Sequence, residues 1–447
     1  MLRNISKNIG GAAAGIIALL AACGTAAGQF GFTVLPSVGR SGYTLMTPRG
    51  ISGDGGTVVG GAGGWAGLAS ELAVAYRRIG GVWTPTILPT VTPSQSGGGG
   101  RAVAVSYDGT VIGGMSSPAF SSNALTGGQP GIWNWSSGGT PTFTLATPNG
   151  PSGVWRGIVN GVSSDGTRFA GTTRPAADVN ARNEVFSVSG GLRTTHAQLD
   201  ANPNITFGSG SNFEGGALSG DGQTLLARRY EQGVGDGSFH AFTINITTNT
   251  RTDLPIGTAA QGYLPDSEAR AASFNGSIIA GVTFSDGSGN GTWFNQGQCR
   301  AMVWRSGVPE LLAVPAGSTI ANRSYAHDLS ADGRIIVGSL TGSNPPPNLQ
   351  DIFNYNNFIG VLWIDGVYRT ADSVLAELGV LENGYTIRAV TAISDDGRTI
   401  TGVAGITGSA NSAVAFVATI PAPGAGVTLL AAGIVCGARR RRSTVLA

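Results

Sequence analysis

Hydrophobic and polar positions along this chain follow one cycle: an apolar residue, Ser-x-Asp-Gly, an apolar run, then Gly. Leu329-Ser330-Ala331-Asp332-Gly333-Arg334-Ile335-Ile336-Val337-Gly338 is the clearest copy. Seven copies occur, with turn residues Asp54, Asp108, Asp165, Asp221, Asn275, Asp332 and Asp396. Six residues after each lie Gly60, Gly114, Gly171, Ala227, Gly281, Gly338 and Gly402. Successive turns are 54, 57, 56, 54, 57 and 64 residues apart, the period of one small sheet with its loops. Asp-Gly between apolar runs predicts a type I′ hairpin, and the later Gly marks where the second strand leaves the sheet.

Each unit reads as four strands. In the sixth, Ser324–Leu329 leads into the turn, residues 335–338 answer it, residues 358–363 form a third strand and residues 367–374 a fourth. Third strands carry one large residue among small ones, as in Val74-Ala75-Tyr76, Gly131-Ile132-Trp133, Ala301-Met302-Val303-Trp304 and Val361-Leu362-Trp363, a pattern suited to packing between two sheets. The seventh unit lacks a fourth strand, while Phe30-Gly-Phe-Thr-Val-Leu-Pro36 precedes the first unit and ends in Leu-Pro like Leu88-Pro89 and Leu254-Pro255. A terminal strand that completes the last sheet leaves no edge open. The fold predicted is all-β, a seven-bladed β-propeller over residues 29–420 closed by its N-terminal strand.

These units resemble the bacterial extracellular HAF-type repeats, in which Ser-x-Asp-Gly, an apolar strand and Gly precede an Ala-Phe-x-Trp-like strand; His240-Ala241-Phe242 repeats the namesake letters. The resemblance spans roughly residues 30–420. It implies a surface location and no particular activity.

Both ends read as address labels. Arg3 and Lys7 precede an apolar stretch from Gly10 to Ala22 that is too short to span a bilayer, and Ala26 and Gly28 precede Gln29, so residues 1–28 are expected to be a signal peptide removed by signal peptidase. A competing reading takes Leu20-Ala21-Ala22-Cys23 as a lipobox with Cys23 lipidated. At the other end, Pro421-Ala422-Pro423-Gly424 is followed by an apolar run and by Arg439, Arg440, Arg441 and Arg442. A helix breaker, a membrane-seeking helix and a basic cluster held in the cytoplasm make up the expected order of parts. Residues 421–447 resemble the PEP-CTERM sorting signal, with Ala422 in place of the Glu of Pro-Glu-Pro. The resemblance implies processing by an exosortase, recognition through Pro421 and Pro423, and transient anchoring in the membrane by a short transmembrane helix.

Charge changes the picture once the ends are set aside. The chain has 27 basic and 25 acidic residues, but Arg3, Lys7 and the four terminal Arg lie in the address segments, which hold no acid. The central domain is left mildly acidic, and a nucleic-acid role has no basic stripe to rest on. With Cys23 and Cys436 in those segments, Cys299 is the only thiol of the domain and no internal disulfide is expected.

Candidate chemistry is sparse. Loops between second and third strands, at residues 61–73, 115–130, 172–183, 282–300 and 339–357, differ from unit to unit, and variable loops on a regular scaffold are where propellers bind. Trp293, Phe294, Phe353 and Tyr355 are residue types that suit a sugar ring or a partner's surface. Asp286, Ser288 and Asn290 space oxygen donors like the start of an EF-hand loop, yet Gly297 stands at the twelfth position, so no metal is expected. His196, His240 and His327 lie singly in different units and read as structural. No nucleotide, flavin or metalloprotease motif appears, and no cofactor is expected. The function expected is that of a non-enzymatic, surface-sorted propeller that binds extracellular polysaccharide or a surface protein through its variable loops. The alternatives are a glycan hydrolase or lyase on the same scaffold, and a purely structural envelope protein.

Overall fold

In the computed structural model the described residues are 31–41, 43, 45–63, 71–91, 99–117, 128–136, 138–146, 155–175, 184–198, 216–231, 238–285, 298–315, 323–341, 358–409 and 412–420. They form seven four-stranded antiparallel sheets. Blades 1 to 6 each use four consecutive strands, with innermost strands Leu45–Ile51, Gly99–Val105, Trp155–Val162, Ala217–Leu218, Asp266–Ala272 and Ser324–Leu329. Blade 7 is Tyr385–Ile393, Thr399–Ile406 and Ala413–Thr419, completed by Gly31–Val34 from the other end of the chain. The closing strand pairs in register, Gly31 with Thr419 through Val34 with Phe416, and Phe32 stacks on Phe416 at 5.4 Å between ring centroids. This is the seven-bladed, N-terminally closed propeller that the repeat pattern predicts.

Turn chemistry explains why the motif recurs. In every unit the Ser hydroxyl donates to the turn Asp or Asn and accepts the backbone N–H five residues on, as Ser330 does with Asp332 (2.7 Å) and Ile335 (3.1 Å). All seven Ser are buried, from Ser52 at 0% to Ser273 at 2% exposed. The turn type differs from the expected I′. Only the Gly has positive φ, 68° to 72°, and Asn249, Ser306 and Asp365 are the only other described non-glycine residues in that region. The Asp side chain accepts the N–H two residues on, which holds its own backbone on the negative-φ side. Two-residue turns with positive φ at both centres occur instead between third and fourth strands, at Gly80-Gly81, Gly190-Gly191, Ser306-Gly307 and Asp365-Gly366. Ser330→Ala leaves the buried Ile335 N–H without its acceptor and is expected to cost about 1–3 kcal/mol in urea unfolding. Asp332→Asn, which copies Asn275, should cost less than roughly 1 kcal/mol.

Third-strand aromatics fill the blade interiors, and Trp133, Trp304, Trp363, Tyr76, Phe186, Phe242 and Phe416 are all fully buried. Four of them also clip neighbouring blades together by donating to the carbonyl that follows the preceding blade's last strand. Trp133 Nε1 donates to Pro89, Trp304 to Pro255, Trp363 to Ala313 and Tyr76 Oη to Pro36. The Leu-Pro ends are thus acceptors as well as strand stops.

Several boundaries move. The second strands run further than predicted, to Gly63, Ser117, Pro175, Phe284 and Thr341, so the variable loops are shorter. The fourth strand of blade 6 stops at Thr370, where the Thr370 hydroxyl accepts the Ser373 N–H and starts the helix Ala371–Glu377. That helix buries Ala371, Val374 and Leu375 in the seam with blade 7 and occupies part of the longest interval between turns. Among the described residues no helix is long and apolar enough to cross a membrane. The segments 1–28 and 421–447, with Pro421, Pro423 and Arg439 to Arg442, lie outside the described residues.

Candidate functional site at the propeller axis

Strand direction sets two ends for the axis. Innermost strands start at the end that carries the second-to-third strand loops, the loop face, and finish at the Ser-x-Asp-Gly turns, the turn face. The turn face is closed by the variable x residues Gly53, Tyr107, Ser164, Gly220, Phe274, Ala331 and Asp395. Backbone bonds link them around the ring, Tyr107 N to Ser164 O, Ser164 N to Gly220 O, Phe274 N to Ala331 O and Ala331 N to Asp395 O. Ser164 Oγ reaches across from blade 3 to donate to Asp395 Oδ2 of blade 7 at 3.1 Å. Gly53 must lack a side chain, because a Cβ there would lie 2.3 Å from the Tyr107 ring and 2.6 Å from Asp395 Oδ2.

Above this floor lies an axial cavity of about 190 Å³. Its wall comes from a bulge repeated at one height, five residues before the turn Asp or Asn. The extra residues are Arg49, Val103, Asn160, Arg270, His327 and Thr391, one from each of six blades, and all line the cavity. Gly216, with φ +103°, takes this place in blade 4. A bulge turns a side chain out of the alternation between sheet faces, here toward the axis. The bulge has no residue-type signature, so sequence patterning missed these positions; their constant offset from the turn was the only available signal.

Ion pairs brace the wall between blades. Glu71 accepts from Arg49 at 3.2 Å and from Arg101 at 2.6 Å, and Glu268 from Arg228 at 2.9 Å and Arg270 at 3.2 Å. Although burial opposes its ionisation, the two guanidiniums hold the Glu71 carboxyl below its usual range. Arg270 Nη1 lies 3.2 Å from His327 Nδ1, and His327 Nε2 is 3.0 Å from Ser339 Oγ. His327 therefore sits in a hydrogen-bonded network as the structural reading has it, but on the axis. His196 lies elsewhere, between Ser187 and Asn249.

Two carboxyls face the lower cavity. Asp328 accepts the N–H groups of Leu329 (2.8 Å) and, from the next blade, Ile393 (3.0 Å). Burial first, then the Asp395 charge, raise Asp328 from 3.8 to about 7, and burial raises Asp395 as well. An acid that holds its proton more tightly when folded stabilises the fold fully below 3.8 and loses that contribution as pH rises toward about 7. Stability is therefore expected to fall between about pH 4 and 7, with a shallower fall in Asp328→Asn, read from urea midpoints across that range. Cys299 is buried beside Tyr325, and burial pushes its thiol up to about 11, which leaves it a poor nucleophile at neutral pH.

Trp293, Phe294, Phe353 and Tyr355, and the oxygen donors Asp286, Ser288 and Asn290, lie outside the described residues. No family model matches the chain, and no curated protein matches it. Solved chains similar to it include TolB from Acinetobacter baumannii (12% identity, 79% of this chain and 78% of that one, TM-score 0.38) and the RRP9 WD40 repeats (11%, 88% and 98%, TM-score 0.45). Puromycin hydrolase is similar too (12%, 84% of this chain and 50% of that one, TM-score 0.42), as is Porphyromonas gingivalis dipeptidyl peptidase 4 (12%, 83% and 50%, TM-score 0.43). The chain spans about half the length of these two proteins. The expectation of a non-enzymatic protein is nonetheless corrected here, because peptidases and hydrolases stand among the solved chains similar to it and a propeller gives no ground for setting catalysis aside. The chain joins no family by these comparisons.

Proposed function

We propose that the protein is exported, sorted to the cell surface, and binds extracellular polysaccharide or a surface partner through the loop-face end of its propeller. One observation carries this reading. The seven turns repeat one hydrogen-bonded scaffold, whereas the bulge residues brought onto the axis above them differ in chemistry from blade to blade. Varied residues held on a regular scaffold are where such folds carry recognition. The sequence of the two ends supports export and exosortase-type processing.

The test is co-sedimentation of the protein, purified from its native host, with that host's extracellular polysaccharide, with soluble sugar followed in the same tube. Retention is the expected result, and absence of retention overturns polysaccharide binding in favour of a protein partner or an envelope role. A second reading, cleavage of the glycan, is favoured by the two carboxyls at one cavity, Asp328 holding its proton near neutral pH and Asp395 beside it. Sugar released by the wild type and not by Asp328→Asn supports it; retention without release rejects it.

A further inference from the structure

The described part of the propeller begins and ends at the turn face. Gly31 pairs with Thr419, and the Ile420 N–H bonds the Arg398 carbonyl, two residues past the Asp396 turn. Residues 421–424, Pro-Ala-Pro-Gly, come next, and then the apolar run from Ala425 to Ala438. Four residues reach at most about 14 Å, so a bilayer that takes up this run lies within that distance of Ile420. On the other side, residues 24–30 separate Gly31 from Cys23, a reach of about 25 Å. An anchor at either end therefore holds the same face of the ring toward the membrane.

That face carries apolar tips. The turns between third and fourth strands, at Gly80-Gly81, Gly190-Gly191, Ser306-Gly307 and Asp365-Gly366, point the same way as the Ser-x-Asp-Gly turns. Ile79, Val82, Leu192, Val308 and Val367 flank them and are 59% to 73% exposed. At the centre Tyr107 and Phe274 are 47% and 49% exposed, and each ring lies over a glycine, Gly53 or Gly220. Large apolar side chains left in water at equivalent places of several blades mark a surface that is covered in use. Charges here are of both signs, since exposed Arg78, Arg334 and Arg398 stand among the turn aspartates. Aliphatic tips with guanidinium groups beside them match the edge of a zwitterionic bilayer, where the guanidinium meets phosphate and the tip reaches the acyl boundary.

We propose that the turn face docks on the surface of a phospholipid bilayer through Ile79, Val82, Leu192, Val308 and Val367, so that the loop-face end of the axis opens away from the membrane. The proposal rests on the export and anchoring reading above and gives it an orientation. Strands of seven residues span roughly 23 Å, which lifts the loop face clear of the headgroups and leaves it open to a polymer outside the cell.

The experiment uses the full chain with Cys23→Ser and Cys436→Ser, reconstituted into phosphatidylcholine vesicles, with a fluorophore on one introduced cysteine. Cys299 is buried and stays unlabelled in the folded protein. Val308→Cys reports the turn face, and Ile406→Cys, at the far end of blade 7, the loop face. Spin-labelled lipid is expected to quench the label at 308 at least about threefold more than the label at 406. Val82→Glu, Leu192→Glu and Val367→Glu together should at least roughly halve the quenching at 308 while the protein still floats with the vesicles. Melting temperatures show whether that triple variant is folded, and the comparison of the two labels carries the test where it is not. Equal quenching at both sites, stronger quenching at 406, or an unchanged signal at 308 in the folded triple variant each overturns the proposal and spares the anchoring. Failure to float sinks the inference and the anchoring together. Without vesicles, iodide access to the label at 308 that falls as protein concentration rises shows a second copy on this face and also overturns it. Retention on host polysaccharide is read separately and stands whichever of these results is found.

Discussion

Deletion of residues 31–36 is expected to shift the protein to aggregated or strand-exchanged species that elute earlier than the full chain on size-exclusion chromatography. Among the described residues the strand Gly31–Val34 alone covers the outer edge of Ala413–Thr419, so its loss exposes unpaired N–H and C=O groups in the blade that closes the ring. It also withdraws Phe32, packed on Phe416 and Tyr385, and Leu35, whose N–H bonds Ala415. Burial of two such side chains is worth roughly 3–6 kcal/mol, a large part of the net stability of an ordinary domain. The Tyr76 hydroxyl loses its acceptor, Pro36, at the same time, so the seam between blades 7 and 1 is weakened from both sides. Phe32→Ala keeps the backbone pairing and should lower stability by about 3–5 kcal/mol without changing the elution volume. A truncated protein that elutes as the full chain does, with an unchanged urea midpoint, would show that closure is not what holds the ring.

Trp304→Ala should lower the unfolding free energy by about 3–5 kcal/mol, because the indole is fully buried between blades 4 and 5 among Leu226, Leu254 and Ile279. Trp304→Phe separates the two jobs of this side chain. It keeps most of the apolar ring but leaves the Pro255 carbonyl without its donor, and should cost about 1–2 kcal/mol. If Trp304→Phe is as stable as wild type, the indole bond to the neighbouring blade contributes nothing and packing alone accounts for the position.

Much of the architecture was legible along the chain because it rests on neighbours in sequence. Ser330, Asp332 and Gly333 settle their own turn within six residues, through the Ser330 and Asp332 side chains and a Gly at φ +68°. The I′ assignment failed there for an equally local reason, since an Asp that bonds the N–H two residues on keeps negative φ, and the true I′ pairs were the shorter turns at Gly80-Gly81 and Asp365-Gly366. The predicted fourth strand over residues 367–374 overlaps the first turn of the helix Ala371–Glu377, because apolar residues there follow a strand directly; the Thr370 cap was the available signal.

The sequence by itself determined the number of blades, the place of each turn, the aromatic at each blade's heart and the swap of one strand between the two ends. Period and patterning carry these features, and both survive any rearrangement of distant contacts. Tertiary structure alone decided the axis. Ser164 and Asp395 are 231 residues apart and meet only because the ring closes. Arg49, Val103, Asn160, Arg270, His327 and Thr391 are of five residue types, and a bulge in each strand points them at a common centre. A cavity assembled from one residue per blade leaves no motif in any single blade, because its chemistry is a property of the circle.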